Sequence, residues 1–166
     1  MPSLFSFASQ DLVGPLSKEE ILQNFPEWQE KVASYFPQPE IIEKLKSINY
    51  PLKIEVFLGT WCPDSQEHVS AYFKIMEMVD NSLISSSYIG LPRDKEARKP
   101  YIKGKNITKV PTFIVLVDDH EKGRIIEHPV KSLEEDLIRI IEGQKQLLGQ
   151  CSLFLEKTSL NFISIF

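Results

Sequence analysis

Leu52-Lys53-Ile54-Glu55-Val56-Phe57-Leu58-Gly59-Thr60-Trp61-Cys62-Pro63-Asp64-Ser65 is the stretch whose reading decides the fold. Leu52, Ile54, Val56 and Leu58 alternate with Lys53, Glu55 and Phe57, the period of two expected of a β-strand. Gly59 to Pro63 reads as a turn. From Asp64 the period changes, and Val69, Tyr72, Phe73, Met76 and Val79 share one face of a helix. Cys62 thus stands where a strand feeds a helix. Pro63 suits the first helical turn, where its missing N–H costs nothing.

Downstream, Ser85–Leu91 reads as a second strand and Asp94–Lys99 as a short helix in a charged connection. Phe113-Ile114-Val115-Leu116-Val117 makes Thr112–Val117 a strand buried on both faces. Asp118–Gly123 reads as a polar turn and Arg124–His128 as the returning hairpin strand. Ser132-Leu133-Glu134-Glu135 has capping-box spacing. The helix it opens carries Leu133, Leu137, Ile140 and Ile141 inward and is expected to stop at Gly143.

Upstream, Met1–Pro15 has no clear period and reads as a loose arm. Ser17-Lys18-Glu19-Glu20 is another capping box, with Ile21, Leu22 and Phe25 behind it. Pro26 and Pro39 open two further helices. Trp28, Val32, Tyr35 and Phe36 form a stripe on the first, read as core. Ile41, Ile42, Leu45 and Ile48 line the second. The organisation is one domain overall: a helical extension over 1–51, an α/β core over 52–143 and an apolar tail over 144–166.

The 166 residues suit a single domain that buries roughly 70% of its unfolded surface without staples. Basic residues number 19 and acidic ones 23, so the net charge of −4 gives no footprint for nucleic acid or an anionic membrane. No apolar run approaches the ~18 residues of a membrane span, and Met1–Gln10 lacks the charged start of a secretory signal. Two cysteines, Cys62 and Cys151, do not make a disulfide framework, and a reducing cytoplasm is the expected location.

The chemistry rests on two short motifs. Trp61-Cys62-Pro63-Asp64-Ser65 opens a helix. Lys109-Val110-Pro111-Thr112-Phe113 places a proline immediately before a buried strand, 49 residues after Cys62. A helix start presents unpaired N–H groups and a partial positive charge, worth roughly 0.3–1 kcal/mol to an anion. The thiolate is that anion, and it is the form that attacks a disulfide. Asp64 opposes it by like charge, and Lys109 is positioned to offset Asp64.

These motifs, in this element order, resemble the thioredoxin superfamily over roughly Leu52–Gly143. The resemblance implies a mixed sheet with flanking helices, here with an N-terminal helical extension. It implies that Cys62 is the nucleophile and Ser65 its hydrogen-bond partner. It also implies that Val110–Pro111 is cis, lies close to Cys62, and with Trp61 and Pro63 faces the substrate.

Three positions depart from the family pattern. Ser65 stands where a second cysteine is usual, so no dithiol cycle can run through this motif. Val56 stands where thioredoxins bury an acid, and Glu55 points to the opposite face of the strand. Val117-Asp118-Asp119 replaces the Gly-Gly of glutaredoxins, so glutathione use is not indicated. The pattern resembles monothiol members of the superfamily. Two readings follow: a monothiol thiol–disulfide oxidoreductase, or a redox-inactive module holding a peptide or protein in the Cys62/Pro111 groove. The expected partner is a disulfide- or thiol-containing protein or a small thiol. No bound cofactor is expected, and glutathione enters only as an external thiol.

Asp64 and His68 sit four apart and read as an exposed pair, so no metal is assigned. His120 and His128 show no evident partner. Cys151 follows a helix about 18 Å long that leads away from Cys62, which argues against its resolving that cysteine. Leu160, Phe162, Ile163, Ile165 and Phe166 make the tail too apolar to stay solvated. It is expected to cover the sheet edge or to form a homodimer.

Overall fold

The computed structural model describes residues 10–143. Cys151 and the apolar tail, with the expected dimer contact, lie outside the described residues. The elements run β1 (Gly14–Leu16), α1 (Lys18–Asn24), α2 (Pro26–Ser34), α3 (Pro39–Lys46), β2 (Leu52–Leu58), α4 (Pro63–Val79), β3 (Ile84–Gly90), a 3₁₀ turn (Glu96–Arg98), β4 (Thr112–Val117) and β5 (His120–Ile126). A last helix, α5, occupies 133–143, so Gly143 is still helical. Among the described residues, no helix is long and apolar enough to cross a membrane.

The helix starts follow from local chemistry. Ser17 Oγ accepts the Glu20 N–H at 3.0 Å, and Ser132 Oγ accepts that of Glu135 at 3.2 Å. Pro26, Pro39 and Pro63 each sit in a first turn. The stripe on α2 divides, because the helix ends at Ser34. Trp28 and Val32 are core, but Phe36, beyond the helix, is 86% exposed. Tyr35 instead donates to the buried Glu134 carboxylate at 2.7 Å, and that carboxylate also accepts the Gln38 N–H at 3.1 Å.

The five strands form one sheet in the order β1-β3-β2-β4-β5. β2 runs parallel to β3 and antiparallel to β4, and β5 returns along β4. One core cluster joins Ile54, Val56, Leu58, Phe113 and Val115 to the apolar faces of α1–α5. On the other face, Phe57, Ile114 and Leu116 pack with Cys62, Leu91, Ile107 and Val110. This double burial explains the unbroken apolar run of β4.

Two local readings need correction. Asp118 and Asp119 alone make the hairpin turn, both at positive φ (51° and 59°), so β5 begins at His120 and Gly123 lies inside it. The segment before Ser17 is not loose where it is described. Gly14–Leu16 pairs antiparallel with Tyr88–Gly90. Gly90 makes this approach feasible, since a Cβ there would lie 2.4 Å from the Leu12 carbonyl oxygen. The register positions the site: Leu58 pairs with Gly90, and Phe57 with Thr112. The turn after β2 and the loop before β4 therefore meet at one pole.

Candidate active site

Cys62 is the N-cap of α4, with extended backbone dihedrals (φ −100°, ψ 121°) and Pro63 in the first turn behind it. Its own backbone is spent on the turn. The Cys62 N–H donates to Gly59 O at 2.9 Å, and its carbonyl accepts the Gln66 N–H at 3.0 Å. The side chain makes no capping bond, so its sulfur stands at the positive end of α4. The Val110–Pro111 peptide is cis, and the Cys62 thiol donates to the Val110 carbonyl at 3.6 Å. The sulfur and the proline loop thus lie together, as expected. Cys62 is 8% exposed, packed with Phe57, Leu91, Ile107 and Val110.

Ser65 has a different partner from the one expected. Its hydroxyl accepts the Gly59 N–H at 3.1 Å and is wholly buried. That bond fixes the turn that carries Cys62 and does not involve the sulfur. Trp61 closes one side. Its indole N–H donates to Leu91 O at 2.8 Å, and the guanidinium groups of Arg93 and Arg98 lie 5.6 and 5.2 Å from the ring centroid. Gly59 leaves room for the indole, because a Cβ there would fall 2.6 Å from the ring.

The polar groups around the pole are organised differently from the sequence reading. Lys109 pairs with Glu127, whose backbone N–H in turn donates to Pro111 O at 2.7 Å. Lys109 is therefore engaged with a carboxylate other than Asp64. His128 does have partners: its Nδ1 lies 3.2 Å from His68 Nε2, and its Nε2 lies 3.9 Å from an Asp64 oxygen. Burial lowers the His68 pKa below its ordinary 6.5. His128 adds to that effect, while Glu67 and Asp64 oppose it. His120 bonds locally to Asp118 O at 2.6 Å.

Val56 is fully buried among apolar side chains, so this position of β2 carries no acid. Glu55 lies on the other face, where Lys53 (3.0 Å) and Lys105 (2.6 Å) hold its carboxylate. Sequence reasoning missed Thr60, Leu91, Arg98, Glu127 and the His68–His128 contact. The hairpin strand ends at Ile126, not at His128 as expected, and His128 just beyond it turns toward the start of α4.

A family model described as thioredoxin matches residues 17–138. Among solved structures, a protein of unknown function from Pseudomonas aeruginosa superposes with a TM-score of 0.55 at 20% identity, over 75% of this chain and 85% of that one. An HIV epitope-scaffold superposes with a TM-score of 0.54 at 20% identity, over 74% and 85%. At this identity both show the fold alone. No curated protein matches the chain.

Proposed function

The chain belongs to the thioredoxin superfamily, and on that premise we propose that it is a monothiol thiol–disulfide oxidoreductase. The observation that carries this reading is the sulfur of Cys62 at the start of α4, beside the Val110–Pro111 loop. The Cys62 thiolate attacks one sulfur of a substrate disulfide. A Cys62–substrate disulfide forms, and the other substrate sulfur leaves as a thiolate that takes up a proton. A second thiol, supplied from outside, then attacks the mixed disulfide. Cys62 is released, and the substrate sulfur leaves joined to that thiol.

Each group has a role in this scheme. Pro63 sets the first turn of α4 and leaves the Cys62 sulfur at the positive end of the helix. Val110 offers backbone polar groups to an extended substrate, and its carbonyl exchanges the thiol hydrogen for a substrate donor. Trp61 forms an apolar wall. Ser65 holds the turn, and with no thiol at that position the resolving sulfur comes from solution. A small thiol such as glutathione, or a protein thiol, fills that role, and a reducing cytoplasm supplies both. Lys109 is committed to Glu127 and is not paired with Asp64.

The test is brief exposure of the folded chain to glutathione disulfide or an aromatic disulfide, followed by mass spectrometry of the peptides. The expected adduct is on Cys62, formed much faster than on Cys151. Labelling of Cys62 only after unfolding would replace this reading with a binding module that uses the same groove without thiol chemistry.

A further inference from the structure

We infer that Asp64, Glu127 and His128 form a divalent-cation site with nitrogen and oxygen ligands on the rim of the Cys62 groove. One ligand atom from each of the three lies within 4.8 Å of the other two. Ligand atoms in a tetrahedral zinc shell with bonds of ~2.1 Å lie roughly 3.4 Å apart, so the three side chains close inward by about 1 Å to bind. They are part-exposed or exposed, and a cation that enters takes the Glu127 carboxylate in exchange for its Lys109 partner.

Their backbones, in contrast, are fixed. Asp64 is in the first turn of α4. The Glu127 N–H is bonded to Pro111 O, and the His128 N–H to Ile126 O, both at 2.7 Å. Fixed backbone and the His68 contact to His128 limit how far the ligand atoms must travel.

The histidine pair supplies the tautomer. His128 points Nε2 toward Asp64 and Nδ1 toward His68 Nε2 at 3.2 Å. With the hydrogen on Nδ1, His128 donates to His68 and keeps an Nε2 lone pair for the metal. A ligating histidine that donates its other ring N–H to a fixed acceptor is the common arrangement in metal sites. His68 is thus a positioning residue. The charge also fits: Asp64 and Glu127 carry two negative charges against one positive charge on Lys109, leaving an excess that a divalent ion offsets. One imidazole with two carboxylates suits a first-row ion such as Zn²⁺, with a fourth position open to water or a substrate donor.

The experiment is titration of the full chain with Zn²⁺ by calorimetry in a non-chelating buffer, repeated with Co²⁺ by visible absorption. One equivalent is expected to bind with micromolar affinity. Asp64→Asn and His128→Ala, both changes at the molecular surface, should each weaken binding by at least about tenfold, and His68→Ala by about tenfold. His68→Gln, which restores an acceptor for His128, should recover most of that loss. The Co²⁺ spectrum should show visible bands without a thiolate charge-transfer band.

No saturable binding, or equal binding in Asp64→Asn and His128→Ala, would overturn the site. A thiolate band, showing a cysteine among the ligands, would overturn the ligand set. None of these outcomes depends on whether Cys62 exchanges disulfides.

Discussion

The Cys62 thiol lies 3.6 Å from the carbonyl oxygen of Val110, across 48 residues of sequence. Neither residue is brought there by its neighbours in the chain. Leu58 must pair with Gly90 and Phe57 with Thr112 before the two loops share a pole. The site is therefore a product of sheet register. A register slip by one residue would turn every side chain of β2 to the wrong face and separate the loops.

Ser65 sets the local half of that geometry. Ser65→Ala should leave the buried Gly59 N–H without its acceptor, at a cost of roughly 1–3 kcal/mol in urea unfolding. Ser65→Cys should do something different. It places a thiol one helical turn from Cys62, and an intramolecular disulfide with dithiol reductase activity is expected. A folded Ser65→Cys chain that forms no disulfide under mild oxidant would mean that the start of α4 does not present Cys62 as described.

Gly59 and Trp61 are coupled by space. Gly59→Ala would put a Cβ 2.6 Å from the indole, and the indole must move. Its bond to Leu91 O would then be lost, with overpacking costing about 1–3 kcal/mol. The Trp61 indole N–H resonance should shift in an NMR spectrum while that of the buried Trp28 stays in place. Two unchanged indole resonances would show that the turn absorbs the methyl group.

What the sequence discloses and what it hides divide along the same line. Ser17, Pro26, Pro39 and Ser132 mark their helices because caps and first-turn prolines act within four residues. The alternation of Leu52–Leu58 and the apolar run of Thr112–Val117 report burial directly. Cys62 and Pro111 are legible because their motifs are local and their order along the chain is distinctive. Leu12 against Gly90, His68 against His128 and Lys109 against Glu127 are contacts between distant segments, and no local period encodes them. The hairpin turn is hidden for a related reason: Asp118 and Asp119 tolerate positive φ, and Gly123, which looks like the turn residue, is needed where Ile140 packs.

Glu55 carries the pH dependence of the second face. Burial raises its pKa, but hydrogen bonds and charge from Lys105 and Lys53 overrule burial and leave it below the ordinary 4.5. A depressed folded-state pKa contributes stability above the unfolded value, and that contribution is lost as the pH falls through the folded value. The protein should thus lose stability below about pH 4.5, and Glu55→Gln should lose less over the same interval. Urea midpoints at pH 7 and pH 3 measure the difference. Equal losses in the two chains would mean that the two lysines contribute nothing through this carboxylate.

Thr60 decides what holds the segment before α1 against the site. Two anchors are in place. The Leu12 N–H donates to Thr60 Oγ1 at 3.0 Å, and Arg93 donates to Asp11 at 2.7 and 3.2 Å while lying over Trp61. The second pair is at the surface, where side-chain entropy and salt cancel most of an ion pair. The first is short-range, has a buried acceptor and positions the strand β1 that follows. Thr60→Val removes the acceptor while keeping the shape, and should cost roughly 0.5–1.5 kcal/mol. It should also speed amide hydrogen exchange at Leu12 and along the β1–β3 pairing, whereas Asp11→Asn should leave both nearly unchanged. If Asp11→Asn frees the segment and Thr60→Val does not, the arm is held by charge, and its attachment should weaken as salt is added.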